Sequence, residues 1–372
     1  MFSLLLFFLF LFPFDFLLVY FSGATFFWGL DFYNINFVFL TCAIPLSFFL
    51  AIPTPKDYIL NYNFNFVQDK YIQYGLIFIY AVGTFSLSGG NIFESSRSYS
   101  AYQENIKGAT GLNEYLILLS CIFVLFNKTK ITRFVISLLL SFYIFKSVIY
   151  GFRVQALMQF VVLYFIVLNR DVKSKYLFVL LISGFFLMLL YGFAKEGMQF
   201  EQFGLDLLVD TRYGYAQSHQ QGVLSASTVM LNYQEYVPNF FINIPSVLSV
   251  STIPRGLIGD IFPWAYPSSF VQNFEYTPGG GLFTTQIYFL LGFPGLIIIS
   301  FIMTLIIGKF IAFDKEKPSP IVAIFSIVAL VFFPRWISYD FFNYYVRSSI
   351  VLVILYLLIL LLLSVASKKN DR

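Results

Sequence analysis

Apolar residues in this chain gather into runs of about 15 to 22 residues separated by short polar stretches, and this spacing narrows the possible folds more than any other feature. A bilayer core about 30 Å thick is crossed by a helix of about 20 predominantly apolar residues. Charge composition points the same way. Charged residues make up 11% of the 372 positions, whereas a soluble domain carries about 25% to cover its surface. The expectation is an all-α polytopic membrane protein. Cys42 and Cys121 both lie inside apolar runs, where a cysteine behaves as a small buried hydrophobe rather than as half of a disulfide.

Spans are expected at about 3–21, 35–52, 71–88, 112–127, 134–150, 154–168, 176–194, 286–308, 319–334 and 346–366, about ten helices in all. The first run has no Lys or Arg ahead of its apolar core, and its length suits a retained span. Orientation follows from lysine. With a cytoplasmic N-terminus, the inner connections carry Lys56, Lys70, Lys128, Lys130, Arg133, Arg170, Lys173, Lys175, Lys309, Lys315, Lys317, Lys368, Lys369 and Arg372, 14 of the 23 basic residues. Both termini are then cytoplasmic. The remaining nine are Arg97, Lys107, Lys146, Arg153, Lys195, Arg212, Arg255, Arg335 and Arg347, which include six of the nine arginines. A guanidinium matches phosphate or carboxylate bidentately and stays charged where water is scarce. An outward arginine cluster suggests an anionic ligand; ion pairing with outward carboxylates is the plain alternative for any one of them.

Three domains follow: a membrane bundle over 1–194, a large outer loop over 195–285 and a second bundle over 286–372. A shorter outer loop from Gly89 to Gly111 has the composition of a lid. The large loop is rich in Gly, Pro, Tyr and Gln, and a bare pore has no need of it. Its apolar middle, Pro238 to Pro254, is expected to be re-entrant or interfacial, because a full crossing there would put Lys309, Lys315 and Lys317 outside. The loop holds the single histidine, His219, the one side chain that titrates near neutrality unaided. Beyond it lie Ile253-Pro254-Arg255 to Asp260 and Pro263, then Glu275 and the triple Gly279-Gly280-Gly281. The triple is either a hinge or a backbone cradle for an anion ahead of a helix.

Lys146 sits inside an apolar run, where an ionisable group marks a functional site unless it snorkels to the interface. At helical spacing Tyr143, Lys146, Tyr150 and Arg153 share a face, provided Gly151 leaves the helix unbroken. Asp340, Tyr344 and Arg347 form a second stripe entering the last span, with Arg335 and Trp336 nearby; the aromatic residues there also suit an interfacial belt. Asp15 beside Pro13 is either part of a proton path or a helix cap. The chain contains no P-loop, no His-Glu-x-x-His, no paired Cys-x-x-Cys and no Asp-x-Asp, so ATP hydrolysis, zinc proteolysis and metal-dependent sugar-nucleotide chemistry find no support. No cofactor, metal or nucleic-acid partner is expected.

At Gly151-Phe152-Arg153, at Ile253-Pro254-Arg255 to Pro263, and at the Gly-rich approach to a helix carrying Gly292-Phe293-Pro294-Gly295, the sequence resembles the Wzy-type O-antigen polymerases of bacterial surface polysaccharide synthesis. The resemblance, which also rests on the plan of ten or so spans with one dominant loop, covers the C-terminal two-thirds of the chain. It implies a GT-C-like, metal-independent glycosyltransferase in the bacterial inner membrane, with the large loop periplasmic. It implies that the growing glycan passes from undecaprenyl pyrophosphate to an incoming lipid-linked repeat unit. Membrane lipid and a chain-length regulator protein are the implied further partners. Lys146, Arg153, Arg212, Arg255, Arg335 and Arg347 would then bind pyrophosphate or glycan. Asp260, Glu275 and His219 are the candidates for the base, with a carboxylate near arginines favoured over His219. The related O-antigen ligases place a histidine ahead of the Gly-x-x-Gly segment where this chain has Gly281, which favours polymerase over ligase. A polysaccharide flippase is the rival, although no internal repeat is present. A membrane acyltransferase comes third, since no expected span contains a histidine.

Topology is checked by reporter fusions. A fusion near Ser225 is expected to report the periplasm and fusions at both termini the cytoplasm; a cytoplasmic signal at Ser225 overturns the arrangement.

Overall fold

The computed structural model describes residues 32–51, 66–86, 113–126, 129–149, 153–167, 215–253, 257, 261–275, 280–311 and 319–370. The runs expected to span at 3–21 and 176–194 lie outside them. The described residues are almost entirely helical and contain no strand beyond a single bridge between Val67 and Phe126. In chain order the helices are α1 (Phe32–Leu50), α2 (Lys70–Ser86), α3 (Asn113–Val124), α4 (Lys130–Ile149), α5 (Arg153–Val167), α6 (Tyr215–Asn232), α7 (Phe240–Thr252), α8 (Pro267–Val271), α9 (Phe283–Ile311), α10 (Pro320–Val331) and α11 (Ser348–Asn370). Short 3₁₀ turns occupy Gln234–Tyr236 and Pro263–Ala265, and a π-helical stretch, Phe342–Arg347, leads into α11.

Three helical stretches are long and apolar enough to cross a membrane: Lys130–Val148, Phe283–Ile306 and Phe342–Ser364. They point the apolar side chains outward. On α4 the outward positions are Ile131, Phe134, Val135, Leu138, Phe145 and Val148, whereas Thr132, Tyr143, Lys146 and Ser147 are buried. Water would favour the reverse, but lipid is as apolar as leucine and leaves polar groups to the bundle interior. This architecture is compatible with a helical membrane protein. Shorter apolar helices cover Asn36–Phe49, Asn113–Val124, Val154–Tyr164, Phe240–Thr252 and Pro320–Val331.

The helices gather into two compact units. One holds α1, α6 to α9 and residues 335–347; the other holds α2 to α5, α10 and α11. In the second unit α4 and α5 pack side by side as a helical hairpin, α5 also meets α10, and α10 meets α11. Around Tyr80, fully buried, Phe123 packs edge-on at 5.2 Å and Tyr143 at 6.3 Å. The shared face proposed for Tyr143, Lys146, Tyr150 and Arg153 is therefore corrected: α4 ends at Ile149 and a separate helix starts at Arg153. A glycine in the connection favours that break, because it gives up the most backbone freedom on entering a helix.

In the first unit α9 is the common partner of α1, α6, α7 and α8. It is kinked. Gly292 takes φ 62° and ψ −165°, a conformation closed to side-chain-bearing residues. Two positions on, Pro294 lacks an N–H, so the carbonyl of Leu290, four residues earlier, has no helical donor. Asn243 of α7, fully buried, donates its Nδ2 to that carbonyl, and its Oδ1 accepts from Trp264 Nε1 at 2.9 Å and from Ser246 Oγ. One amide thus repairs the kink and ties α7 and the Trp264 turn to α9.

Asn243→Ala is expected to lower stability by about 1–3 kcal/mol for each buried partner left unsatisfied. Thermal unfolding in detergent reads the loss. Pro294→Ala restores the helical donor to Leu290, so the double variant is expected to lose less than the sum of the singles.

Candidate functional site

Ahead of α9 the chain makes a close approach to residues 337–341. A Cβ on Gly280 would collide with the backbone of Tyr339 and lie 2.7 Å from the Ser338 carbonyl oxygen. Gly280 and Gly281 are both buried. This packing corrects the hinge reading of the glycine triple at these two positions. At Gly280 backbone meets backbone, whereas a Cβ on Gly281 would press on the side chain of Met230, 2.8 Å from its sulfur. The cradle reading narrows as well, since the Leu282 N–H donates to Ser227 Oγ at 2.8 Å and the Phe283 N–H to the Ile337 carbonyl at 3.0 Å.

Gln286, one turn into α9 and fully buried, clasps the same region. Its Nε2 donates to the carbonyls of Gly281 and Tyr339, at 2.6 and 2.5 Å, and its Oε1 accepts from the Phe341 N–H at 3.0 Å. Ser268 of α8 also donates to the Tyr339 carbonyl, at 3.1 Å. The turn after Trp336 is thereby fastened to both α9 and α8. Trp336 is fully buried, packed edge-on against Phe283 at 5.1 Å and near Phe341 at 5.9 Å. That corrects its assignment to an interfacial belt.

The 335–347 stretch carries two of the arginines singled out from the sequence. The Arg335 guanidinium lies over the rings of Tyr339, at 4.9 Å, and Tyr344, at 5.4 Å. Arg347 Nη1 donates to Asn343 Oδ1 at 3.0 Å. Both side chains are partly exposed. The expected Asp340, Tyr344 and Arg347 stripe is corrected, because Asp340 precedes the helix rather than lying on it. Its Oδ1 accepts from the Asn343 N–H at 3.0 Å and its carbonyl from the Tyr344 N–H, a cap on the first free donors. The π-helical stretch from Phe342 to Arg347 then shifts the face on which Arg347 emerges.

Lys146 belongs to the other unit. It is buried at 6% exposure and its Nζ donates to the Thr84 carbonyl at 3.3 Å, in the last turn of α2. An ammonium there complements the carbonyl-rich end of a helix. Tyr143, from the same buried face, donates to Asn113 Oδ1 at 2.9 Å.

The remaining sequence candidates are placed as follows. Glu275 is exposed in the turn after α8. His219 falls within α6 and Arg153 opens α5, their backbones helical. Arg212, Arg255 and Asp260 lie outside the described residues, as does the whole of the lid expected over 89–111. Arg335 and Arg347 both fall on the 335–347 stretch of the first unit, Arg335 in the short helix that opens it and Arg347 at the end of its π-helical part. Gln286 and Asn243, the amides that hold the site in shape, were not singled out from the sequence. The signal for Asn243 was Pro294, which orphans a carbonyl and so demands a donor from elsewhere.

Gln286→Leu takes a donor from the Gly281 carbonyl and an acceptor from the Phe341 N–H, while the Tyr339 carbonyl keeps Ser268, and it is expected to destabilise by roughly 1–3 kcal/mol per buried group left unsatisfied. Hydrogen exchange at 337–341 should accelerate more than in α1, because the clasp acts on that turn. Ser227→Ala is expected to cost less, with one donor affected. No protein-family model matches the chain, and no curated protein or solved structure matches it.

Proposed function

We propose that the chain is a polytopic glycosyltransferase of the O-antigen polymerase kind, with about ten spans, both termini cytoplasmic and the 195–285 segment on the periplasmic side of the bacterial inner membrane. It transfers a growing glycan from undecaprenyl pyrophosphate to an incoming lipid-linked repeat unit. The α7 segment is re-entrant or interfacial and does not cross the membrane. The reading draws its support from the sequence resemblance, from the helical architecture with lipid-compatible outer faces, and above all from the stretch at 335–347. There Arg347 makes its hydrogen bond to a neutral amide and Arg335 rests on two tyrosine rings. The Asn343 amide leaves the charge of Arg347 in place, so a cation stands at the head of a long apolar helix, with Arg335 on the stretch that leads to it.

The chemistry suits that arrangement. As the anomeric carbon–oxygen bond of the donor breaks, negative charge gathers on the departing pyrophosphate. Preorganised guanidinium groups stabilise such charge as it develops. The acceptor hydroxyl gives its proton to a base, for which Asp260, Glu275 and His219 stand as candidates, and its oxygen takes the anomeric carbon. Undecaprenyl pyrophosphate leaves. Lys146, which is occupied with the end of α2, has a smaller claim on the anion than the two arginines.

Purified protein given lipid-linked repeat units in detergent is expected to make a ladder of longer glycans without ATP or divalent metal. Arg347→Ala should lower the rate by about 10²–10³, the usual effect of losing one preorganised donor to developing charge. Arg347→Lys should rescue poorly, since an ammonium lacks the fork geometry. Unchanged substrate, under conditions where another polymerase extends its own, overturns the proposal and leaves transport as the activity to test.

A further inference from the structure

Three aromatic rings meet where the 3₁₀ turn after α6 faces the turn after α8. Tyr233 and Phe274 stack at 5.0 Å and 20°, Tyr236 and Phe274 at 5.5 Å and 25°, and the two tyrosines lie 6.0 Å apart. The stack is exposed: Tyr236 is 55% and Phe274 49% accessible. It is also fixed in place. The N–H groups of Tyr236 and Val237 donate to the carbonyls of Tyr233 and Gln234, and those of Phe274 and Glu275 donate to the carbonyl of Val271. Phe270 braces Phe274 edge-on at 5.2 Å, and α8 packs against α6. A rigid, near-parallel, exposed stack has no role in the core. It offers an apolar face that loses little freedom when something docks there.

The charges around the rings identify what docks. Glu235 lies between the two tyrosines in the chain, Asn273 and Glu275 flank Phe274, and all three are exposed. The stretches 215–253 and 261–275 contain no lysine or arginine. A phosphate would be repelled by the two carboxylates. An anionic lipid surface would be as well, and surface-seeking segments normally carry basic residues. A pyranose ring has the opposite profile: an apolar C–H face that stacks on an aromatic ring, edged by neutral hydroxyls that hydrogen-bond to carboxylates and amides. We infer that Tyr233, Tyr236 and Phe274 form a sugar-binding platform that seats an uncharged pyranose of the glycan, with Glu235, Asn273 and Glu275 receiving its hydroxyls.

The identity of the natural glycan rests on the polymerase reading, whereas the binding itself is tested without it. Full-length protein in a detergent free of sugar headgroups is titrated with methyl glycosides of neutral hexoses and N-acetylhexosamines and with their disaccharides, using saturation-transfer NMR. Saturation is expected on ring C–H protons of at least one of them. Phe274→Leu and Tyr236→Ala should weaken that binding by about tenfold, the scale of one lost stacking partner. Tyr236→Trp should retain it. Phe241→Ala, which removes an 82% exposed ring outside the stack, should leave it unchanged. The leucine variant keeps apolar bulk, and its melting temperature shows whether the fold persists.

Absence of binding by the whole panel overturns the inference. So does equal binding by wild type and both weakened variants, or loss of partitioning into lipid vesicles in place of loss of sugar, which would make the stack an interfacial anchor. The two readings separate cleanly. A glycan ladder sensitive to Arg347 but indifferent to Phe274 and Tyr236 keeps the polymerase and removes the platform. Platform-dependent sugar binding without a ladder does the reverse.

Discussion

Pro294 leaves the Leu290 carbonyl without a helical donor, and the first unit is organised around the answer to that deficit. In an apolar setting an orphaned carbonyl has no water to turn to and costs several kcal/mol. Asn243 supplies the donor, and in doing so fixes α7 against α9 and orients Trp264. One turn earlier on α9, Gln286 does for the 337–341 turn what Asn243 does for the kink. Amides suit both tasks because each carries donors and an acceptor without a charge to desolvate. Gly292 completes the arrangement by accepting a backbone conformation that other residues would resist.

The second unit meets the same constraint by an inside-out distribution. Its α4 exposes Ile131, Phe134, Leu138 and Phe145 and buries Thr132, Tyr143, Lys146 and Ser147 beside Ile136 and Leu140. Lys146 is tolerable there because the end of α2 presents a carbonyl it can meet. A leucine would pack in its place at lower desolvation cost but would leave the end of α2 without that donor.

Among the described residues, helices were legible in the sequence where an apolar run was long and evenly bounded. The runs at 35–52, 71–88, 134–150, 154–168, 286–308 and 346–366 coincide with α1, α2, α4, α5, α9 and α11 to within a few residues. Apolar periodicity reports which residues avoid water, and helical geometry follows from that. It reports nothing about which polar atom meets which. Asp340 seemed by spacing to belong to a helical stripe, yet it serves as a cap one step outside the helix. Gly280 had the composition of a hinge and instead lies pressed against backbone from residues nearly 60 positions later. Asn243 finds its carbonyl 47 residues away, a pairing no local pattern encodes. In the sequence the arginines were visible only as a type of residue expected on one side of a membrane. Their arrangement on one clasped stretch depends on Gln286, and so on tertiary contacts.

A lipid-linked oligosaccharide is a molecule of two characters, doubly anionic at its pyrophosphate and neutral along its sugars. The first unit shows the same separation. The 335–347 stretch carries the guanidinium groups of Arg335, over two tyrosine rings, and of Arg347, on the Asn343 amide, whereas the turns after α6 and α8 present aromatic rings and carboxylates with no lysine or arginine in the described sequence around them. Ser268 links the two, since α8, which leads to Phe274, is hydrogen-bonded through it to the Tyr339 carbonyl on the arginine stretch. Charge repulsion alone then orients a substrate of this kind: the pyrophosphate is disfavoured beside Glu235 and Glu275, and a neutral sugar gains nothing special from Arg347. On the polymerase reading, that bias sets the direction in which the donor lies before any bond is made, and the hydrogen bond from Ser268 keeps the two ends of the surface in fixed register while it does so.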